Sequence, residues 1–390
     1  MAPASSGLAI TDRTAKGLGN QRAVAKIDLA ALSHNTAEIR RITGPQVQLC
    51  AVVKADAYGH GAVPVARHLV RCGVEVLAVA SVDEATQLRD AGIPSKILVF
   101  GDLTAGETAE AIRLGLTATL GSLDATRALR EVATPQKPLR VHLKIDTGMR
   151  RIGFCPSEME ALAKLLDSGG LVVEGAYSHL AHGESPGHES LEGQRTELLA
   201  ACDRLVEAGI ALPMRHLAGS AGLFAHPGTH LDMVRAGIAL YGGLPHPSYA
   251  PQVTLKPVMA VLTRVVQVRK VRAGDGIGYG HTWRAPRDSR IAVLPIGYGQ
   301  GYLRALSNRG YTMVRGRLAP VVGTISMDQT MIDVTAAGGV KPGDEVTLWG
   351  GSQEGAPEVM ELAERAGTIG YELLTRVGNA IPRTYVEPFG

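Results

Sequence analysis

Between residues 47 and 241, short apolar runs alternate with helix-like stretches eight times, and this alternation limits the fold more than any other property of the chain. The runs fall at 47–53, 74–80, 96–100, 116–120, 139–145, 171–178, 214–217 and 233–241. Many are rich in Val, Ile and Leu without polar alternation, which is how strands buried on both faces of a parallel sheet read. Helical stretches such as 83–90, 157–166 and 191–208 separate them. A leading strand at 24–28 and a helix carrying Leu32, Ile39 and Ile42 come first. Eight such units in roughly 200–250 residues give the arithmetic of a (β/α)8 barrel. A doubly wound open sheet is the alternative, because counting strands does not show closure.

Near Leu244-Pro245-His246-Pro247 the character changes, and the Pro-containing segment to Pro257 reads as a linker. Short β runs follow at 258–270, 291–296, 318–322 and 345–348. Turns such as Arg272-Ala273-Gly274-Asp275-Gly276 and Lys341-Pro342-Gly343-Asp344 divide them, and one helix at 358–366 closes the region. The expected organisation is a loose N-terminal tail at 1–23, a barrel domain at 24–250 and a mostly-β domain at 251–390. A chain of 390 residues exceeds the size at which one core stops growing, which fits two domains.

A net charge of +3 with scattered basic residues argues against nucleic acid or a membrane surface as partner. The first residues lack an apolar signal core, and no run reaches membrane-spanning length. Cys50, Cys72, Cys155 and Cys202 form no C-x-x-C pair, so a reducing compartment is expected, and the cytoplasm with it.

A barrel builds its chemistry where strands end. The first strand ends on Lys54 and enters a turn with Tyr58, Gly59 and Gly61. An ammonium leaving a buried strand is costly, and desolvation lowers its pKa, which makes an amine nucleophile suited to Schiff-base chemistry. A lone lysine after a strand is also a common surface residue. Polar groups nevertheless recur at later strand ends. Lys144 and Arg151 flank a tight turn through Asp146 and Gly148, and Tyr177-Ser178-His179 ends the sixth strand. Gly219-Ser220 follows the seventh strand, and Arg235-Ala236-Gly237-Ile238 lies within the eighth. Together they supply a nucleophilic lysine, hydroxyl and backbone N–H groups for a phosphate, and two arginines for a carboxylate or a ring nitrogen.

The stretch Val52-Val53-Lys54-Ala55-Asp56-Ala57-Tyr58-Gly59-His60-Gly61 resembles the pyridoxal-phosphate signature of the alanine racemases, and the resemblance runs from about Val24 to the C-terminus. It implies that Lys54 bonds covalently to pyridoxal 5'-phosphate and that Tyr58, Ser220, Gly237, Ile238 and Tyr371 surround the phosphate. By the same resemblance Arg235 contacts the ring nitrogen and Arg151 the substrate carboxylate. Lys144, whose family counterpart is often carbamylated, orients Arg151. Because an arginine does not give up its proton, the ring nitrogen stays unprotonated, which favours return of a proton to the α-carbon over transamination.

A racemase needs a second base on the opposite face, and the Gly-rich segment around Tyr279 resembles the one that supplies it. His179 would link Tyr279 to Arg235. Tyr298, Met327 and Asp328 resemble residues lining the substrate pocket from the partner subunit of a head-to-tail homodimer. The activity implied is interconversion of L- and D-alanine, feeding peptidoglycan.

The chain departs from the family pattern at Arg150, where a small residue is usual, at Gly219 for asparagine, at Ser326 for cysteine and at Gln300 for aspartate. Arg150 and Gln300 bear on substrate preference, assembly geometry and the charge at the entrance. A racemase of other specificity and a decarboxylase of the same build are alternatives. A non-catalytic single barrel would not need the residues after Pro257. A metal-dependent barrel using His179, His182 and Glu184 rests on a weak ligand spacing.

Overall fold

The structure, a computed structural model, describes Leu18 and residues 21–167, 169–376 and 381–387. Most of the tail expected at 1–23 lies outside the described residues. The first strand is β1 (Ala23–Asp28), followed by β2 (Gln48–Val52), β3 (Val76–Val79), β4 (Lys96–Val99) and β5 (Thr117–Leu120). Next come β6 (Leu139–Lys144), β7 (Leu171–Tyr177), β8 (Arg215–His216) and β9 (Met233–Ala236).

Strands β2 to β9 form one parallel sheet of eight, in the order β8-β7-β6-β5-β4-β3-β2-β9. A Gly219–Arg235 bridge joins the two ends, the Arg235 N–H donating to the Ala218 carbonyl at 3.0 Å. The barrel is thereby closed, and the open sheet is set aside. The eighth strand was expected to reach 241 but leaves the ladder after Ala236, because the Gly237 N–H turns to Ser220 Oγ at 2.9 Å.

Short connections at the carboxyl ends carry helix caps. Ser81, Thr104 and Ser122 each accept a backbone N–H of the first turn of the helix that follows, and Thr104 forms a capping box with Glu107. The helices capped by Ser81 and Ser122 begin three residues after their strands and the one capped by Thr104 six residues after, so successive strand ends point their first loop residues into one mouth.

The remaining strands are β10 (Met259–Arg264), β11 (Gln267–Val271), β12 (Gly276–Ile277), β13 (Trp283–Arg284) and β14 (Ser289–Leu294), then β15 (Tyr311–Val314), β16 (Arg317–Pro320), β17 (Thr330–Asp333), β18 (Glu345–Trp349) and β19 (Arg383–Val386). They make a six-stranded sheet in the order β16-β15-β18-β10-β1-β19, a three-stranded sheet β11-β14-β17 and the ribbon β12-β13.

Three features differ from expectation. The run at 258–270 is two strands in two sheets, divided at Val265 and Val266. A second helix, Gly370–Arg376, follows the expected one at Val359–Ala366 and carries Tyr371. The leading strand β1 sits in the C-terminal sheet, antiparallel to β10 and parallel to β19.

Candidate active site

Directly after β2 the backbone does something unusual. Ala55, Asp56, Ala57 and Tyr58 all adopt left-handed angles, with φ of 52°, 53°, 54° and 54°. None is glycine, and left-handed turns cost roughly 1–2 kcal/mol per L-residue, so the surroundings must over-determine this one. Glu84 accepts the N–H of Ala55 at 2.7 Å and that of Ala80 at 2.7 Å, tying the ends of β2 and β3 together. The Asp56 carboxylate accepts the Ala62 N–H at 2.6 Å. The turn places Lys54 on the wall of a cavity of about 990 Å³ at the barrel mouth. Burial holds its amine below the ordinary lysine value, and the Arg151 guanidinium adds to the effect.

The same cavity is lined by Tyr58, Lys144, Arg151, His179 and Ser220, and by Arg235, Gly237, Ile238 and Tyr371. Ten of the residues singled out in the sequence therefore meet at one place. Ser220 Oγ accepts the N–H groups of Gly237 and Ala239 at 2.9 and 3.3 Å, so what it has to offer a ligand is its proton. Burial pushes the Tyr58 phenol up to about 12 and also raises that of Tyr371, where nearby Glu184 contributes. Both stay protonated donors at neutral pH. A Cβ on Gly237 would stand 2.5 Å from Tyr58 Oη, so only glycine admits the tyrosine here. A ring of neutral hydroxyl donors fits a phosphate ester, and a depressed lysine amine beside it fits the aldehyde of pyridoxal phosphate.

Arg235 is buried and spends its guanidinium on protein acceptors. Nη1 donates to His216 Nδ1 at 2.7 Å, and Nη2 lies at 2.8 Å from the carbonyl oxygens of Ser178 and Leu217 and 3.1 Å from His179 Nδ1. These contacts fix tautomers. An arginine only donates, so both histidines accept at Nδ1 and carry their proton on Nε2. His216 then donates onward to His142 Nδ1 at 2.7 Å. Burial, reinforced by the Arg235 charge, pulls His179 down to about 3 and holds His216 well below its usual value. His179 is therefore a neutral ring with an Nε2–H to donate.

Lys144 is buried over the Tyr177 ring, 5.4 Å from its centroid, and burial together with Arg235 draws its amine down to about 7. The turn that brings Arg151 to the cavity is held by Asp146, which accepts the Gly148 N–H at 2.8 Å. Arg150 takes a left-handed φ of 56° in that turn, a place where a residue without a Cβ would be relaxed. A Cβ on Gly219 would come within 3.1 Å of His179 Cε1, so an asparagine there would press on the ring. Gln300 accepts the Gly297 N–H at 3.0 Å and closes the turn that bears Tyr298.

Four of the expected residues are not at this mouth. Tyr279, Tyr298, Met327 and Asp328 lie on the C-terminal domain, with Tyr279 73% and Met327 61% exposed. They share one neighbourhood: the Tyr298 and Gly299 N–H groups donate to the carbonyls of Ser326 and Met327, and Thr324 Oγ1 donates to the Tyr279 carbonyl.

His216, His142, Glu84 and Gln194 escaped sequence reasoning. Gln194 joins two strand-end loops, accepting the Ala181 N–H through Oε1 at 2.9 Å while Nε2 donates to the His179 carbonyl at 3.1 Å and reaches Thr147 Oγ1 at 3.3 Å. The only signal for His216 was a histidine in the short run Met214-Arg215-His216-Leu217. His182, considered as a metal ligand, stacks on His188 with ring centroids 4.0 Å apart.

Residues 27–245 match the family model described as alanine racemase, N-terminal domain, and residues 258–385 match that of the C-terminal domain. An alanine racemase of Desulforamulus reducens is 41% identical over 93% of this chain and 98% of its own length. One of Desulfosudis oleivorans is 42% identical over 93% of this chain and 96% of its own. Among solved structures, the alanine racemase of a D-cycloserine-producing Streptomyces lavendulae superposes with a TM-score of 0.89 at 33% identity, covering 94% of this chain and 98% of that one. That of Streptomyces coelicolor gives 0.88 at 36% identity, covering the same shares.

Proposed function

The chain belongs to the alanine racemase family, and from that premise we propose that it interconverts L- and D-alanine with pyridoxal 5'-phosphate, moving the α-proton between Lys54 on one face and Tyr279 of a second copy of the chain on the other. The observation that carries the reading is the meeting of Lys54, the hydroxyl donors and Arg235 in one cavity, while Tyr279 stands exposed elsewhere on the same chain.

Tyr58, Ser220 and Tyr371 would hold the phosphate by donated hydrogen bonds, with Gly237 and Ile238 forming the backbone wall beside them. Arg235 would face the ring nitrogen and, unable to give up its proton, leave that nitrogen unprotonated. When bound, pyridoxal phosphate withdraws electron density from the substrate's α-carbon and so acidifies its hydrogen.

Lys54, held below its ordinary pKa, takes or returns the proton at Nζ on its side. Tyr279 does so at Oη on the other. A phenol ordinarily titrates near 10, so its anion needs a donor, and the neutral His179 presents Nε2–H for that purpose. Arg151 would bind the substrate carboxylate. Lys144, its amine drawn down to about 7, is in part unprotonated at neutral pH, the form that a carbamate requires. Tyr298, Met327 and Asp328 would enclose the substrate from the partner together with Tyr279.

In the cell the D-alanine would feed peptidoglycan, in the cytoplasm; four free cysteines are in keeping with a reducing compartment. Among the described residues no helix is long and apolar enough to cross a membrane.

The test is the purified protein supplied with pyridoxal phosphate and a panel of single L-amino acids. L-Alanine should run to an equal mixture of enantiomers faster than any other, and borohydride should fix the cofactor to the peptide containing Lys54. Carbon dioxide release, or a label elsewhere in the chain, would contradict the reading.

A further inference from the structure

The left-handed turn bearing Lys54 is clasped by the last strand of the chain. Arg383, on β19, donates from Nε to the Gly59 carbonyl at 2.7 Å, and its Nη2 stands 2.8 Å from Asp56 Oδ2. The second approach is a charge contact whose angle falls outside hydrogen-bond geometry. Tyr385, two residues on, donates from Oη to the His60 carbonyl at 3.1 Å. The fit is close: a Cβ on Gly61 would meet Tyr385 Oη at 2.0 Å, and one on Gly59 would meet the Leu374 carbonyl oxygen at 2.2 Å.

Fully buried His60 lies 2.9 and 3.0 Å from the carbonyl oxygens of Ala57 and Tyr58 through Nδ1. Both partners are acceptors, so Nδ1 carries the proton and the ring pins the turn. Four consecutive strained residues are thus held at both ends, and one hold comes from β19, a strand paired with β1 in the C-terminal sheet.

We propose that Arg383 is a positioning residue for Lys54: by bonding the Gly59 carbonyl and neutralising Asp56 it keeps the turn left-handed, and so keeps the lysine amine facing the cofactor's aldehyde position. The inference rests on the functional reading above. It adds a second contribution of the C-terminal domain, beside that of Tyr371, to its own chain's cofactor site, apart from the role proposed for it in a partner's.

The turn carries the lysine and begins the wall on which the phosphate rests, so loosening it should weaken cofactor capture before it weakens the fold. Thr384 on the same strand is exposed and serves as a control for loss of the strand itself.

The experiment titrates cofactor-stripped protein with pyridoxal phosphate, following absorbance, and measures the borohydride-fixed fraction at Lys54. Arg383→Met keeps the aliphatic stem and should raise the dissociation constant about tenfold and lower the fixed fraction at matched cofactor occupancy. Arg383→Lys, which retains a charge opposite Asp56 but does not reproduce the guanidinium fork, should recover part of the loss. Thr384→Ala should behave as the unaltered protein.

Unchanged affinity and labelling in Arg383→Met would overturn the proposal. A loss matched by Val346→Ala, a core change in the same sheet with an equal fall in melting temperature, would also overturn it. If the unaltered protein itself bound no pyridoxal phosphate, the functional reading would fail instead, so the two failures are told apart.

Discussion

The barrel mouth and the exposed Tyr279–Met327 surface are built in opposite ways. At the mouth, Lys144, Ser220 and Arg235 are buried, charges are matched to acceptors, tautomers are fixed, and the backbone is strained into place. On the C-terminal surface Tyr279 and Met327 face solvent. The first region is a site organised within one chain; the second is a set of groups presented outward. An enzyme that must reach both faces of a substrate would gain from that division if, as proposed, the second face closes only when another copy arrives.

The largest effect expected from breaking the comparison is on chemistry. Tyr279→Phe should lower racemisation by about a hundredfold to ten-thousandfold, the span typical of a lost acid–base group. Folding and cofactor binding should stay intact. Solvent exchange of D-alanine's α-proton should survive better than that of L-alanine, because Lys54 still serves one face. Equal loss for both enantiomers, read by NMR in deuterated buffer, would argue against two bases.

Stability should separate the regions next. Arg235→Met leaves the acceptors at Ser178, Leu217 and His216 buried without their donor, and at about 1–3 kcal/mol each the cost should reach roughly 3–9 kcal/mol. Met327→Ser on the exposed surface should change the stability of the isolated chain by under about 0.5 kcal/mol while weakening self-association. Chemical denaturation and sedimentation would measure the two, and similar stability losses would erase the contrast.

How much of this was legible in the sequence differs by residue. Lys54 was, because polar groups recur at the later strand ends; alone, a lysine after a strand reads as a surface residue. Ser220 and Arg235 were, once the strand-end rule applied. The left-handed turn was not, since Ala55, Asp56, Ala57 and Tyr58 carry no common preference for positive φ; long-range bonds such as those from Glu84 and Arg383 hold it, and their partners are distant in sequence. The place of β1 was equally hidden. Its partners lie more than two hundred residues away, and a local apolar pattern says that a strand exists but not what it pairs with. His216 was hidden because its function is to fix another side chain, a property of three-dimensional register.

The regions should also differ in their response to pH. Burial depresses His60 and His142 to about 4 and His179 to about 3, whereas the unfolded chain titrates near 6.5. Below pH 6.5 the unfolded state therefore binds more protons. Stability present in full above that pH is lost as the pH falls toward 4, by up to about 1.4 kcal/mol per histidine per unit. Urea midpoints taken at pH 7, 6 and 5 should decline progressively, and His60→Asn, which retains a donor in the Nδ1 position, should lessen the slope. A flat series would show that these rings are not held neutral.

The shared site itself is tested by complementation. Lys54→Ala and Tyr279→Phe proteins, each nearly inactive, are unfolded and refolded together. In a mixed dimer one site collects both lesions and the other neither. Random pairing makes half of the dimers mixed, so the account predicts recovery to about a quarter of unaltered activity, a ceiling set by two-fold symmetry. Mixed dimers verified by mass and showing no recovery would mean that lysine and tyrosine serve the same chain, and would contradict a site divided between the barrel of one copy and the C-terminal domain of another.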